Sequence, residues 1–366
     1  MKIFANIPVA ICLLVALQTH AQSDSTKIEL TGYIDTYYAS YSNKLSADEL
    51  QPYITVAPRD NQFGLNIAEI GATYNTGEVR GTFVIQYGDI AEATWSDRFK
   101  TIQEAWVGIE VTEGLWLDGG FFTTHIGAES FLPKNNWLSS TDIGTFNEPF
   151  YQSGARLSYE KSEKFEAQLH LVSGYNLFLD NNDAKSIGML FSYKVNDAIS
   201  LSYTNLFGRE SPEGSPSQYR FYNNIYLTWD PTDKISAIVG GDMSTQSNSE
   251  LENPTETALM YNAVAIARYQ FTKRYSATSR LELFNDRDGF ISGVLVNQNG
   301  NQQGLKATAF TMGFEYAPTK QSYLRAETRW TWADRDLLIF NKGGNASNVR
   351  AEFLINMGFY FNKRLK

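Results

Sequence analysis

The chain has one cysteine, three histidines and no long hydrophobic run, and each shortage closes off a class of protein. Cys12 lies in a leader whose features are Lys2 as a positive start, an apolar stretch from Ile7 to Leu17, and Thr19-His20-Ala21 as a small-residue cleavage site. Residues 1–21 are therefore expected to be a cleaved signal peptide, and 22–366 the mature domain. The leader is too short to span about 30 Å of hydrocarbon, and Ile11 is too bulky for a lipoprotein signal before Cys12. The mature chain then has no thiol, which excludes disulfides, thiolate metal sites and cysteine nucleophiles. No later window reaches the ~18 apolar residues of a spanning helix. Basic residues are also short: the net charge of −9 with no basic patch argues against a nucleic-acid partner.

The scarcity of histidine bears on catalysis. A barrel hydrolase needs a His beside a Ser or Asp, and only His125 and His170 survive removal of the leader. His170 reads inward in Gln168-Leu169-His170 and His125 stands at the start of a loop, so both are expected to be structural and the chain not an enzyme. No cofactor is implied. Asp180-Asn181-Asn182-Asp183 and Asn285-Asp286-Arg287-Asp288 are rich in oxygen ligands but lack EF-hand spacing, and turn chemistry accounts for them without a metal.

What the sequence does have is alternation. Read with a period of two, it resolves into sixteen segments: 27–41, 62–76, 78–89, 101–113, 115–127, 149–161, 164–176, 183–195, 198–209, 218–230, 233–246, 256–272, 274–287, 305–317, 320–333 and 347–361. Each is long enough for a tilted strand to cross a bilayer, which takes about 9–11 residues. The connections alternate between short and long. Thr76-Gly77, Glu113-Gly114, Ser162-Glu163, Asn196-Asp197, Pro231-Thr232, Lys273 and Pro318-Thr319 are the tight turns. A sandwich or propeller has no reason for that asymmetry, whereas outer-membrane barrels have short periplasmic turns and long outer loops. The expected fold is all-β, a transmembrane antiparallel barrel of about sixteen strands. It must close by pairing the first strand with the last, because lipid cannot satisfy free backbone groups.

Alternation also assigns faces. Phe353, Ile355, Met357, Phe359 and Phe361 fall on one side of the last segment, with Arg350, Glu352, Asn356 and Tyr360 on the other. The apolar set is expected to face lipid and the polar set a wet lumen, since sixteen strands leave an aqueous channel. Aromatic belts are expected from Trp229, Tyr269, Phe271, Tyr275, Phe314, Tyr316 and Phe359 at the periplasmic interface, and from Tyr37, Tyr38, Tyr151, Trp330 and Trp332 at the outer one. One connection stands apart. Gly127 to Glu148 has no alternation yet carries Phe131, Leu132, Trp137, Ile143 and Phe146, which a solvated loop would not need, so it is expected to fold into the barrel mouth and narrow it.

Gly32-Tyr33-Ile34-Asp35-Thr36-Tyr37-Tyr38, Glu104-Ala105-Trp106-Val107, and Gly120-Phe121-Phe122 leading to Phe146-Asn147-Glu148-Pro149-Phe150 carry a resemblance. With the leader, the strand count and the long third loop, the chain resembles Gram-negative outer-membrane porins, and specifically the β-barrel porin family related to small OmpL-like porins. It departs from them in following Phe361 with Asn-Lys-Arg-Leu-Lys rather than ending on an aromatic residue. The resemblance implies passive passage of small hydrophilic solutes and a third-loop constriction facing a basic wall. Here the loop offers Glu129, Asp142 and Glu148 with Lys134 opposing them. Arg156, Arg280 and Arg329 read as inward near mid-depth, Arg80, Arg268 and Arg325 nearer the periplasm, and Arg220 nearer the outside. Ion pairs of the lumen wall, such as Arg280 with Glu282 or Arg325 and Arg329 with Glu327, are the plainer reading of the same residues.

Inward carboxylates, Glu104 among them, slightly outnumber inward arginines, which points to cations or to no preference. A channel selective for phosphate or short saccharides, with Trp106, Trp116, Tyr222 and Tyr226 as an aromatic track, is the alternative. The resemblance also implies a homotrimer, contact with lipid and lipopolysaccharide, and delivery by the barrel assembly machinery.

Overall fold

Strand after strand, the period-two segments pair with their sequence neighbours and close on themselves. The computed structural model describes residues 26–365, so the expected signal peptide, 1–21, lies outside the described residues. The strands are Lys27–Tyr41 (β1), Gln62–Asn75 (β2), Val79–Tyr87 (β3), Ile102–Thr112 (β4), Leu115–Thr123 (β5), Tyr151–Tyr159 (β6), Phe165–Val172 (β7), Ser186–Asn196 (β8), Ile199–Arg209 (β9) and Tyr219–Thr232 (β10). They continue as Ile235–Gln246 (β11), Ala258–Gln270 (β12), Tyr275–Asp286 (β13), Leu295–Val296 (β14), Gln302–Gln303 (β15), Lys306–Thr319 (β16), Ser322–Ala333 (β17), Phe340–Lys342 (β18), Asn345–Ser347 (β19) and Val349–Leu365 (β20). β14 with β15, and β18 with β19, are small hairpins in outer loops; the other sixteen form one closed antiparallel barrel in which β1 pairs with β20.

Strand ends differ from the sequence reading in physically sensible places. Pro231-Thr232 and Pro318-Thr319 lie inside strands, and the register slips between Trp229 and Thr232 and between Tyr316 and Thr319. Proline offers no N–H to the ladder, so the strand passes it by a bulge and turns two residues later than expected, at Asp233-Lys234 and Lys320-Gln321. β20 runs through the polar tail to Leu365, which pairs with Ile28, so the residues after Phe361 extend the seam.

The lipid-facing assignment holds: Phe353, Ile355, Met357, Phe359 and Phe361 are exposed, while Arg350, Glu352 and Asn356 are buried inside. The periplasmic belt forms as read, with Tyr275 stacked against Phe314 and Tyr316. The outer belt is corrected. Tyr37 and Tyr38 are adjacent and cannot share a face; Tyr38 is outside, while Tyr37 points inward and donates to Asp89 Oδ2 at 2.6 Å. Tyr151 is buried against Trp95.

The lumen is also less wet than the strand pattern implies. Two apolar clusters occupy its outer part. One gathers Tyr37, Tyr41, Ile54, Val56, Trp95 and Phe131; the other gathers Phe122, Ile143, Tyr222, Met260, Leu337 and Phe340. The first mixes wall residues with residues of loops 42–61, 88–101 and 124–150, the second with residues of loops 42–61, 124–150 and 334–348, so inward-folded loops convert that part of a water-filled cylinder into a packed core.

Candidate functional site

The third outer loop, 124–150, leaves β5, docks its middle against the wall formed by β13, β16, β17 and β20, and returns to β6. Its local order comes from short signals. Asp142 caps the one-turn helix Ile143–Asn147 (α1) by accepting from Thr145 N. Gly127 has φ +115°, and a Cβ there would run into the Glu148 carboxylate, so only glycine lets the two ends of the loop close on each other.

Docking is done by charged side chains of the wall. Arg280 on β13 is fully buried, and its guanidinium donates to Glu129 (3.0 Å), Glu282 (2.8 Å), Ser140 O (2.5 Å) and Thr141 O (3.0 Å). Arg325 on β17 pairs with Glu315 at 2.8 Å and donates to the carbonyls of Pro133, Leu138 and Asn136 at 2.8, 3.2 and 2.8 Å. Carboxylates do the reverse. Glu327 accepts from Ser139 N, from Ser140 N at 3.1 Å and from Ser140 Oγ at 2.8 Å, and Glu282 accepts from Ile143 N at 2.9 Å and Arg329 at 2.6 Å. An irregular segment inside a barrel must satisfy its backbone there, and these side chains supply the missing partners.

Several expected constriction residues are therefore corrected in role. Arg280 and Arg329, and with them Glu129 and Asp142, do not face each other across an open eyelet: the two arginines are buried beneath the loop, Arg280 fastening it through Glu129, and Asp142 is buried as the cap of α1. Lys134 does not oppose the loop carboxylates. It reaches the wall, where it pairs with Glu69 and lies 4.7 Å from the Tyr33 ring. Glu148 is brought beside Asp242, which already accepts from Asn224 (2.6 Å) and Asn262 (2.8 Å). Burial and that neighbouring carboxylate push Glu148 well above the ordinary carboxylate range.

The remaining candidates lie on other parts of the wall. Arg80 and Arg156 converge on Asp118 at 2.8 and 2.9 Å, and Arg80 also pairs with Glu160. Trp106 and Trp116 pack against these guanidiniums, but Tyr222 is fully buried within the apolar cluster on which Trp106 also packs, so the four aromatics do not form an open track. Glu104 accepts from Thr123 Oγ1 at 2.7 Å, Arg220 donates to Gln246 and to Phe290 O near the outer rim, and Arg268 pairs with Glu315 at 3.0 Å.

Two cavities flank the third loop. One, of about 330 Å³, lies between residues 123–131 and the β8 and β10 wall, with Glu148, Leu190 and Tyr226 in its lining. The other, of about 550 Å³, opens below the loop tip at the periplasmic end. The histidines sit beside the first: His125 stacks on His170 with ring centres 3.9 Å apart, and it contacts Gln152 Oε1 and Asn205 O. Among the described residues neither ring has a Ser or Asp hydrogen-bond partner.

Sequence reasoning missed the first loop. Ile54, Thr55, Val56 and Ala57 are buried, Arg350 donates to Pro52 O at 2.7 Å, and Tyr53 meets Phe146 of the third loop. The signal was present, since Tyr53-Ile54-Thr55-Val56-Ala57 is an apolar run in a long loop, the same feature that singled out the third.

The chain matches the family described as "Putative beta-barrel porin-2, OmpL-like" over residues 27–361. Among solved structures it is similar to an anion-selective porin from Comamonas acidovorans, with TM-score 0.61 and 11% identity over 92% of this chain and 100% of that one. It is similar to the outer-membrane channel DcaP of Acinetobacter baumannii, with TM-score 0.60 and 11% identity over 93% and 99%. Salmonella typhi OmpF in complex with Daunomycin gives TM-score 0.55 and 12% identity over 91% and 97%. At these identities the likeness is one of fold, and no curated protein matches the sequence. A family match spanning almost all of a closed sixteen-strand barrel with lipid-facing aromatics identifies the chain as a bacterial outer-membrane porin, a member of the OmpL-like β-barrel porin-2 family.

Proposed function

We propose that this porin passes small hydrophilic solutes by passive diffusion along the side of the third loop that faces β6 to β10. The observation that carries the reading is the asymmetry of the loop: one face is bonded to the β13 to β20 wall, while the other lines an open cavity of about 330 Å³. Solutes then pass Tyr226 and Leu190, which are partly exposed, rather than the buried arginines. The porin family match supports a channel rather than an enzyme, and among the described residues the stacked His125 and His170 bond to Gln152, Asn205 and Gln168. Removal of residues 1–21, delivery by the barrel assembly machinery, contact with lipopolysaccharide and a homotrimeric assembly complete the proposal.

The test is single-channel conductance of refolded protein in a planar bilayer, beside a variant lacking residues 130–147. Stable steps that grow several-fold on deletion are expected. Steps of unchanged size after deletion would place the constriction elsewhere, and a correctly folded barrel without steps would mean a plugged lumen.

A further inference from the structure

Below the third loop the lumen opens to the periplasm through the cavity of about 550 Å³, and its lining is unlike the rest of the molecule. Six cationic side chains, Lys134, Arg268, Lys273, Arg274, Lys320 and Arg325, stand there against one carboxylate, Glu315. The whole chain carries a net charge of −9, so this enclosure reverses the average. Lys134 and Arg325 are engaged with Glu69 and Glu315. Lys273, Arg274 and Lys320 have no carboxylate partner within ion-pair distance among the described residues, and Arg268 keeps a buried Nε with no hydrogen-bond acceptor.

Topology places the free charges together. Lys273 and Arg274 sit in the turn between β12 and β13, Lys320 in the turn between β16 and β17, and β13 pairs with β16. Adjacent hairpins are about two strand spacings, ~10 Å, apart. That is close to the Debye length at physiological salt, so the fields of the two turns add inside the mouth. Turns farther round the rim carry Glu78, Glu113, Glu163 and Asp197, mixed with lysines, and the β10 to β11 turn beside that of β12 and β13 carries Asp233 with Lys234.

We propose that this periplasmic vestibule is a binding station for small oxyanions, carboxylate or phosphate, on their way through the pore. The inference rests on the channel reading and gives it a solute class. Asn135 and Asn136 of the loop tip line the roof of the same cavity, with their side-chain amides held by Ser130. The preference comes from which charges remain free, not from a count of inward residues. Asp35, for example, faces inward but is buried and accepts from Asn66, Tyr323 and Asn356.

The experiment measures reversal potential across a tenfold KCl gradient, and block of the KCl current by inorganic phosphate added on the periplasmic side. Wild type is expected to prefer chloride and to be blocked. K273E/R274E/K320E is expected to lower the chloride-to-potassium permeability ratio several-fold and to weaken phosphate block at least as much. K273Q/R274Q/K320Q carries the same test, in smaller degree, where charge reversal disturbs the turns. E78K/E113K/E163K, on the opposite rim, is expected to leave phosphate block unchanged. Wild-type ratios and block in both triple variants would overturn the site, as would equal changes from the opposite rim. Those outcomes leave the steps themselves intact, whereas absence of steps in wild type overturns the channel reading instead. If the lysines meet only lipid headgroup phosphates outside the lumen, reversal potential stays fixed and the proposal fails.

Discussion

Two walls of one barrel face each other across the third loop, and they use the same residue types differently. On β13, β16, β17 and β20 the inward Arg280, Glu282, Arg325 and Glu327 are buried and bonded to loop backbone. On β8 to β10 the inward Leu190 and Tyr226 are partly exposed and line open space. The difference is where the loop comes to rest. A charged side chain inside a barrel lines a pore only if nothing lands on it; once a loop does, its value is in satisfying the loop's backbone.

The largest break in that comparison should come from Arg280→Met. It leaves Glu129 and Glu282 buried without their shared cation, a loss of about 3–5 kcal/mol when one member of a buried ion network is removed. The expected result is a lower urea midpoint together with a conductance approaching that of the loop deletion. Wild-type conductance in Arg280→Met would show that the loop is held by other contacts. Glu327→Gln is a milder version on the same wall. It weakens the acceptor for Ser139 and Ser140, at about 1.5–3 kcal/mol for hydrogen bonds to a charged group, and is expected to add gating noise without a large change in step size.

A third experiment uses pH at the junction between the two walls. The Glu148 carboxyl in the folded protein titrates above its ordinary value near 4.3, so its protonated form favours docking. That contribution is fully present below the ordinary range and is lost as pH rises through the raised value, when Glu148 ionises beside Asp242. Current noise is expected to grow toward alkaline pH. Glu148→Gln, which stays neutral, should keep the quiet low-pH behaviour throughout; noise rising equally in the variant would assign the effect to another group. The smallest effect is on the open wall. Tyr226→Ala should change stability by about 1 kcal/mol or less while enlarging the step modestly, because Tyr226 is partly exposed and borders the cavity.

Legibility followed the same division. Strand order, closure and lipid face were readable because a barrel strand must alternate, and because lipid tolerates neither a free edge nor an outward charge. Boundaries failed locally: β5 and β7 end at Thr123 and Val172, short of the alternating segments, β20 runs on to Leu365, and at Pro231 and Pro318 a bulge lets the strand continue. The site was half legible. Arg280, Arg325, Glu129 and Glu327 were singled out as inward charges, but as pore lining. The apolar residues of 127–148 announced that the loop packs without saying against which strands. The run Tyr53 to Ala57 carried the same announcement for the first loop and went unread.

Sequence alone determined the sixteen strands, their seam and which side of each meets lipid, since period two and turn chemistry act between near neighbours. Tertiary structure decided where the loops land, which inward charges they consume, and which are left to face a solute. Those outcomes depend on pairings such as Arg280 with Glu129 and Glu327 with Ser140, between residues far apart in the chain. No local pattern encodes such a pairing, because any of several inward arginines satisfies the same alternation.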